Sequence, residues 1–529
     1  MKRTARATYI KNVIVPSFIL SGITGILTGA VIFFFKWGSE FFSDLSVKIY
    51  AAVCDKPAFI PLLFAGLALL AVIMAFFIKR EPVVSGGGIP TAEGILRGLL
   101  AFKWLRTLIG MVVNSYIAFI AGLPLGNEGP SVLIGTSLGR GTNNLFNRNP
   151  AWDRYVMTGG AAAGFATVTG APATGIIFAL EEVHKRFSPM ILMVALSSVV
   201  FASLTSEALA VIFQRNISMF SLSEFSALPI RDIWIGLAAG VVTGIVAFLF
   251  IKSFSFMYSL LGERIKAVPI EVKLIILFFI IGAVGLVLPA ASGSGHAVIE
   301  NVLDHNVLWY MLLTLLIVKI VTVVLCGGAG ATGGLFVPIL TVGALSGGIL
   351  AEILVSCGVP ASYYELIVTF CIASFLGATL RAPITAVLFF VEALGGFNNI
   401  LFAVLGILVA FLIAEITGVK PLYEIVLERR LKSMYSGKYP EIINVDVVVK
   451  KGAFVIGKAT RDIFWPPSCQ VTAVVRAGAN KVSDARMDKD GDKILKEGDT
   501  LSLRIQTYNR EESEKLIADL VGRQDVAEQ

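Results

Sequence analysis

Charge is scarce in this sequence. Asp, Glu, Lys and Arg make up 15% of 529 residues, against 56% hydrophobic residues and a mean hydropathy of +0.80. Ordinary soluble domains carry about a quarter charged residues, so that class is excluded. Cysteine and histidine are scarcer still. Cys54, Cys326, Cys357, Cys371 and Cys469 show no paired spacing, and His184, His296 and His305 form no cluster with them. Neither a disulfide framework nor a zinc site follows, and no metal or cofactor is expected. Also missing are a phosphate-binding P-loop, a dinucleotide fingerprint and a nucleophile beside a base, so nothing suggests an enzyme.

What the chain has is apolar length. Apolar runs recur at 13–36, 58–78, 105–125, 189–213, 232–251, 273–290, 307–326, 363–380 and 400–415. Several exceed the roughly 20 residues that cross a bilayer. Others, at 172–180 and 383–391, are too short to span and are hemmed by Gly, Pro or charge. Such broken segments are tolerated only where they line a cavity or pack on protein. The profile is that of a transporter or channel.

The net charge of +7 does not call for nucleic acid. Basic clusters at Met1–Lys11, Lys79–Arg80, Arg140–Arg154 and Glu428–Lys438 are orientation signals in a membrane protein and place the N-terminus in the cytoplasm. The first apolar run has no small-residue cleavage site after it, which predicts an anchor and not a removable signal peptide.

A repeat sets the architecture. Ala171–Glu181 (APATGIIFALE) returns as Ala382–Glu392 (APITAVLFFVE), 211 residues on, from Pro172 to Pro383. Pro130, Gly135 and Gly139 match Pro338, Gly343 and Gly347 at an offset of 208. Two related halves of about 200 residues follow. Cytoplasmic termini require an even number of crossings. With an odd number in each half, the second half is inverted, and the helix starts at Glu128 and Phe336 meet from opposite sides.

Glu128 stands inside GLPLGNEGPSVLIG, in a glycine-rich helix start within an apolar segment. A carboxylate at bilayer depth is costly and marks a pathway. The backbone N–H groups from Gly129 to Val132 offer an anion site, and Pro130 fits the first turn. A negative side chain at an anion site suggests a gate that fills the site when deprotonated and leaves when protonated. The bland reading is a capping glutamate, but capping alone does not need the flanking glycines. Gly333–Pro338, after CGGAGATGG, forms a second such start, and Ser85–Pro90 a third. Dipole ends focused on one spot favour an anion of chloride size, bound by several weak donors so that it can leave again.

GGGIP, GNEGP, GGLFVP and Lys420–Tyr423 (KPLY), in this order, resemble the four signature segments of the CLC chloride channel and transporter family over roughly residues 10–436. The resemblance implies an all-α polytopic membrane fold with an inverted repeat, and a homodimer with a separate pore in each subunit. It makes Glu128 the outer gate. It places Gly87, Gly88, Ile89, Asn127, Gly129, Leu335, Phe336, Val337 and Tyr423 around the anion. Glu182 becomes the inner proton relay, with Glu93 at a further acidic position. A charged helix end is the plainer reading of Glu181–Glu182 beside His184-Lys185-Arg186, and an interfacial aromatic the plainer reading of Tyr423. Two positions depart from the common pattern: Gly87 stands where serine is usual, and Asn127 where Arg or Lys is usual. A fluoride-exporting branch departs at these same places. The expected function is chloride/proton antiport in a bacterial inner membrane, with a proton-coupled fluoride exporter or a passive, ligand-regulated chloride channel as alternatives.

Composition changes after about Tyr439. Residues 440–523 alternate β-rich runs (VDVVVK, AFVIGK, CQVTAVVRA, TLSLRIQT) with polar turns, then close on an amphipathic helix, ESEKLIADLVG. This predicts a membrane domain over 1–439 and a small cytoplasmic α+β domain over 440–529. VIGK, VVRAG and the Glu497-Gly498-Asp499 turn resemble the C-terminal regulatory domain of TrkA-type potassium transport proteins, which implies a small cytosolic ligand such as a nucleotide. Asp488–Asp492 imitates the start of an EF-hand, but Lys493 replaces the needed glycine and Asp499 the final Glu, so a polar hairpin is expected.

Overall fold

The computed structural model describes residues 14–220, 225–261, 268–434, 440–476, 491 and 493–522. The basic cluster Met1–Lys11 and most of the Asp488–Asp492 loop lie outside them. In the first half run α1 (Val15–Asp55), α2 (Ile60–Arg80), α3 (Gly88–Leu96), α4 (Trp104–Ile120), α5 (Glu128–Leu145), α6 (Asp153–Thr169), α7 (Pro172–Phe178) and α8 (Pro189–Phe213). The second half holds α9 (Trp234–Ser259), α10 (Ile270–Val287), α11 (His296–Leu303), α12 (Trp309–Ala329), α13 (Phe336–Ser356), α14 (Tyr364–Leu380), α15 (Pro383–Glu392) and α16 (Ile400–Ile416). α17 (Leu422–Met434) leads to the C-terminal part.

Among the described residues, nine helical segments are long and apolar enough to cross a membrane. Eight overlap the apolar runs of the sequence. The ninth, α13, is rich in glycine and small residues, while the run at 105–125 yields only the 17-residue α4 before the chain turns at Ala121. α6 is buried almost throughout and is built from Gly, Ala and Thr, which allow helix backbones to approach closely. Outward-facing Val287 and Ile416, 85% and 84% exposed, fit a lipid-facing surface.

The halves repeat in packing as well as in sequence. α5 meets α6 where a Cβ on Gly135 would overlap the Gly160 carbonyl and one on Gly139 would stand 2.6 Å from Met157 Cα. α13 meets α14 in the same way, with Gly343 on Ile372 and Gly347 on Val368. Reciprocal hydrogen bonds express the two-fold relation. The Gly126 N–H donates to the Gly334 carbonyl and Gly334 N–H to the Gly126 carbonyl, both at 2.8 Å. Glu181 accepts from Ile384 N, Thr385 N and Thr385 Oγ1 at the start of α15. Its repeat mate Glu392 accepts from Ala173 N, Thr174 N and Thr174 Oγ1 at the start of α7. Each half caps the short helix of the other. The helical part is a membrane fold with an inverted repeat.

The C-terminal part is a three-stranded antiparallel sheet in the order β1 (Glu441–Val448), β3 (Thr500–Thr507), β2 (Cys469–Val475), with α18 (Arg510–Val521) packed on it. One expected strand is absent. Ala453–Lys458 forms turns, because its neighbourhood bonds elsewhere: Lys450 N donates to Val521 O and Val455 N to Leu520 O, satisfying carbonyls at the end of α18.

The sheet domain docks on the helices through a mixed aromatic and polar contact. Phe464 lies against Tyr155 (centroids 4.4 Å apart) and stacks on the His184 ring (4.8 Å), with the Arg154 and Arg186 guanidinium groups over its face. Tyr155 Oη donates to Asp462 O at 2.5 Å and Ser188 Oγ to Asp462 Oδ1 at 2.6 Å. Arg154 spans the contact, with Nε on Leu96 O at the end of α3 and Nη1 on Trp465 O.

Candidate functional site

Three glycine-rich turns bring the starts of α3, α5 and α13 to one point. Beside the Gly126–Gly334 pair, Gly86 N donates to Gly330 O, Gly333 N to Gly86 O, and Thr332 Oγ1 to Val84 O. Glycine is required by contact here. A Cβ on Gly88 would overlap the Gly129 carbonyl, and one on Gly334 would stand 2.8 Å from Gly129 N. The first amides of a helix have no partner inside it. Among the described residues no acceptor bonds those of Leu335, Phe336 and Val337, nor those of Glu128 and Gly129. The turns therefore gather Gly87, Gly88, Ile89, Gly129, Leu335, Phe336 and Val337.

Gly87 and Asn127 are the two departures. At Gly87 an added Cβ would meet nothing closer than Pro90 Cδ at 3.4 Å, so a serine fits and the space is open. Asn127 lies at the same turn, but its Nδ2 donates to Ser39 Oγ of α1 at 3.1 Å. That engagement leaves Asn127 anchoring the helix start.

Glu128 is 1% exposed, and neither carboxylate oxygen has a hydrogen-bond partner in the protein. The side chain folds back over Gly126, where an added Cβ would sit 2.5 Å from Oε2. Its near polar neighbour is His296 at the start of α11, with Nε2 3.7 Å from Oε1. No motif in the sequence singled out His296, because fold alone brings it there.

Below the helix starts, Phe336 packs edge-on between Phe165 and Phe389, and Phe178 stacks on Phe165 at 4.3 Å. Tyr423, second residue of α17, is 1% exposed with no partner for its hydroxyl, and lies within electrostatic reach of both Glu128 and Glu182. The apolar rings make this stretch poor in water-like partners, so charge crosses it only with specific help.

Glu182 sits in a π turn, Ala179–Val183, not at the end of a regular helix. The wide turn sends neighbouring glutamates to different tasks, Glu181 to cap α15 and Glu182 into the interior, 2% exposed with Oε1 unpaired. Such bulges often mark functional sites. Next to it Glu93, fully buried, accepts from Arg97 Nη1 at 2.9 Å. Lys185 Nζ stands 3.8 Å from Glu93 Oε1 and 3.3 Å from Glu424 Oε2. The side chains of Arg97, Lys185 and Glu424 are 42%, 39% and 35% exposed, so the cluster grades from solvent to the buried pair.

A sequence model described as "Voltage gated chloride channel" matches residues 66–415. The H(+)/Cl(-) exchange transporter ClcA of Salmonella typhimurium is 30% identical over 425 residues, covering 78% of this chain and 88% of that protein. ClcA of Salmonella arizonae is 30% identical over 430 residues, with the same coverage. Among solved structures, a slow cyanobacterial Cl-/H+ antiporter matches with a TM-score of 0.73 at 25% identity, over 78% of this chain and 98% of that one. A CLC-type fluoride/proton antiporter matches with a TM-score of 0.64 at 24% identity over 78% and 97%, a likeness of fold alone. Motif order, repeat packing and these likenesses agree, and the chain belongs to the CLC family of chloride channels and transporters.

Proposed function

We propose that this protein exchanges chloride for protons across the membrane. The observation that carries the reading is a pair of buried carboxylates, Glu128 with both oxygens unpartnered and Glu182 with Oε1 unpartnered, each within electrostatic reach of Tyr423. The amides of α5 and α13 hold the anion, and Glu128 competes with it when ionised and withdraws when protonated. Glu182 brings protons inward from the solvent-graded cluster of Glu93, Lys185 and Glu424. Sharing Glu128 between the two paths couples the fluxes. Chloride is favoured over fluoride because the relatives at 30% identity are named for chloride exchange, and the Asn127 amide is tied to Ser39.

Reconstitution in liposomes tests this. A chloride gradient should drive protons uphill, recorded with a pH electrode beside a chloride electrode. Chloride loss without proton movement would make the protein a passive channel, and a flux ratio strongly favouring fluoride would overturn the choice of anion. Glu182→Gln should lower proton flux by about 100-fold, the scale of a positioned proton-transfer group, with anion flux largely kept. Normal proton pumping in that variant would reduce Glu182 to a charged helix end.

The protein acts as a homodimer in a bacterial inner membrane, with both termini in the cytoplasm. Residues 440–529 form a regulatory domain of the TrkA C-terminal type that responds to a small cytosolic ligand such as a nucleotide. Its contact runs to the segment after Glu182 and, through Arg154, to the end of α3 that carries Glu93. A ligand acts there only by binding the docked and undocked states differently. Removing the Phe464 ring costs about 3–5 kcal/mol of packing at a buried site. Phe464→Ala in the full chain should therefore reproduce the proton-to-anion ratio of a chain truncated after Ser436. A variant that keeps the full-length ratio while truncation changes it would rule out this route.

A further inference from the structure

We propose that His296 is the proton carrier for Glu128 on the side of the membrane away from the sheet domain. The proposal rests on the reading of Glu128 as the proton-binding gate. α5 runs from Glu128 to Leu145, next to the sheet domain where Asn149 Nδ2 donates to Asp519 O. The loops around Gly122 and Ser292–Gly295 lie beyond the other end of that path, bonded to each other through Gly293 N and Ser292 Oγ on Gly122 O.

That loop is built to aim the imidazole. Lys319 of α12, itself 1% exposed, donates to Gly293 O at 2.6 Å and to Ala291 O at 3.4 Å from beneath. Gly295, at φ +111, turns the chain into α11 against Thr341 of α13, where any Cβ would overlap Thr341 Oγ1. Phe220 flanks the ring at 5.9 Å. His296 Nε2 then stands 3.7 Å from Glu128 Oε1, one water or a small side-chain rotation from hydrogen-bond range. The His296 side chain is 34% exposed and that of Glu128 is 1% exposed, so one ring links solvent to a sealed carboxylate.

Other groups near Glu128 do not fill this role. Lys36 of α1 is within electrostatic reach of Glu128 and of Glu40, but its Nζ is held by Ile217 O at 2.8 Å. Lys319 is held by its two carbonyls, and Tyr423 is only 1% exposed, so it offers no link to solvent. On α11 and just after it, Glu300 and Asp304 are exposed. The other two imidazoles are engaged elsewhere, His184 with Thr158 Oγ1 and His305 with Glu352. Imidazole is the side chain suited to exchanging protons between about pH 5 and 8. In the transfer, the Nε2–H bond of imidazolium breaks and an O–H bond forms on Glu128. Neutral His296 then takes a proton from solvent, and the reverse sequence releases one.

Coupled fluxes of the full-length protein in liposomes, measured at symmetric pH across about 5–8, decide the matter. His296→Gln and His296→Phe should slow proton-coupled exchange at least about tenfold above roughly pH 7, converge on the parent rate at low pH, and keep the proton-to-anion ratio. Added imidazole buffer should restore the rate of both. Parent-like rates across the whole range in either folded variant, or variants slowed equally at every pH with no rescue, would overturn the proposal. Glu128→Gln in the same assay separates the two readings. If it uncouples while the His296 variants behave as the parent, only the role of His296 fails; if it stays coupled, the gate itself is wrong.

Discussion

Glu128→Gln should pass chloride and move no protons with it. Glutamine keeps the size of the neutral acid and cannot titrate, so the variant is fixed in the form that leaves the anion site. Loss of a positioned proton-transfer group predicts a fall in proton flux of at least about 100-fold. Anion flux should stay within several-fold of the parent. The side chain already lies over Gly126, where there is no room for a Cβ, and both its oxygens are buried without partners. A carboxylate in that position is costly unless amides or an ion satisfy it, which is why its protonation and the occupancy of the site change together. Simultaneous chloride and pH recordings decide it, and intact coupling in the glutamine variant would remove Glu128 from the proton path.

The second large effect concerns stability. Glu392→Ala strips three hydrogen bonds from the start of α7, and Glu181→Ala strips three from the start of α15. Hydrogen bonds to a charged group contribute about 1.5–3 kcal/mol each, and partial exposure of both caps discounts the sum to about 2–4 kcal/mol. Because the two sites are repeat mates, the two variants should lower the thermal midpoint of the purified protein by similar amounts, read by loss of the monodisperse peak after heating. No shift in either variant, or a large shift in one alone, would contradict the reciprocal arrangement.

Some of this was open to inspection in the residues. Pro172 and Pro383 announced two short helices at matching places, and the glycines around Glu128 and Phe336 announced close backbone approach, because a proline or a glycine restricts geometry locally. α6 was not legible. Its Gly, Ala and Thr residues carry too little hydropathy to register as a span, although burial by neighbours makes it a core helix. The π turn was hidden for a similar reason, since nothing in ALEEV distinguishes it from a regular turn until Glu181 is drawn to the amides of α15. Ala453–Lys458 has strand composition, yet the open carbonyls of α18 claimed its neighbourhood. His296 and Phe464 act across long separations in the chain, and pattern along the sequence carries no information about such neighbours.

Reciprocal capping also has a clock. The amides of Ala173 and Thr174 precede their acceptor Glu392 by 219 and 218 residues. At about 5–20 residues per second, a ribosome delivers that acceptor on the order of 10–40 s after α7 has been made. During that interval the first half holds a short helix whose leading amides have no protein acceptor, a condition that hydrocarbon does not tolerate. The newborn half must therefore wait at the insertion machinery or beside water until its mate arrives. Halves supplied as separate polypeptides should survive only when made together.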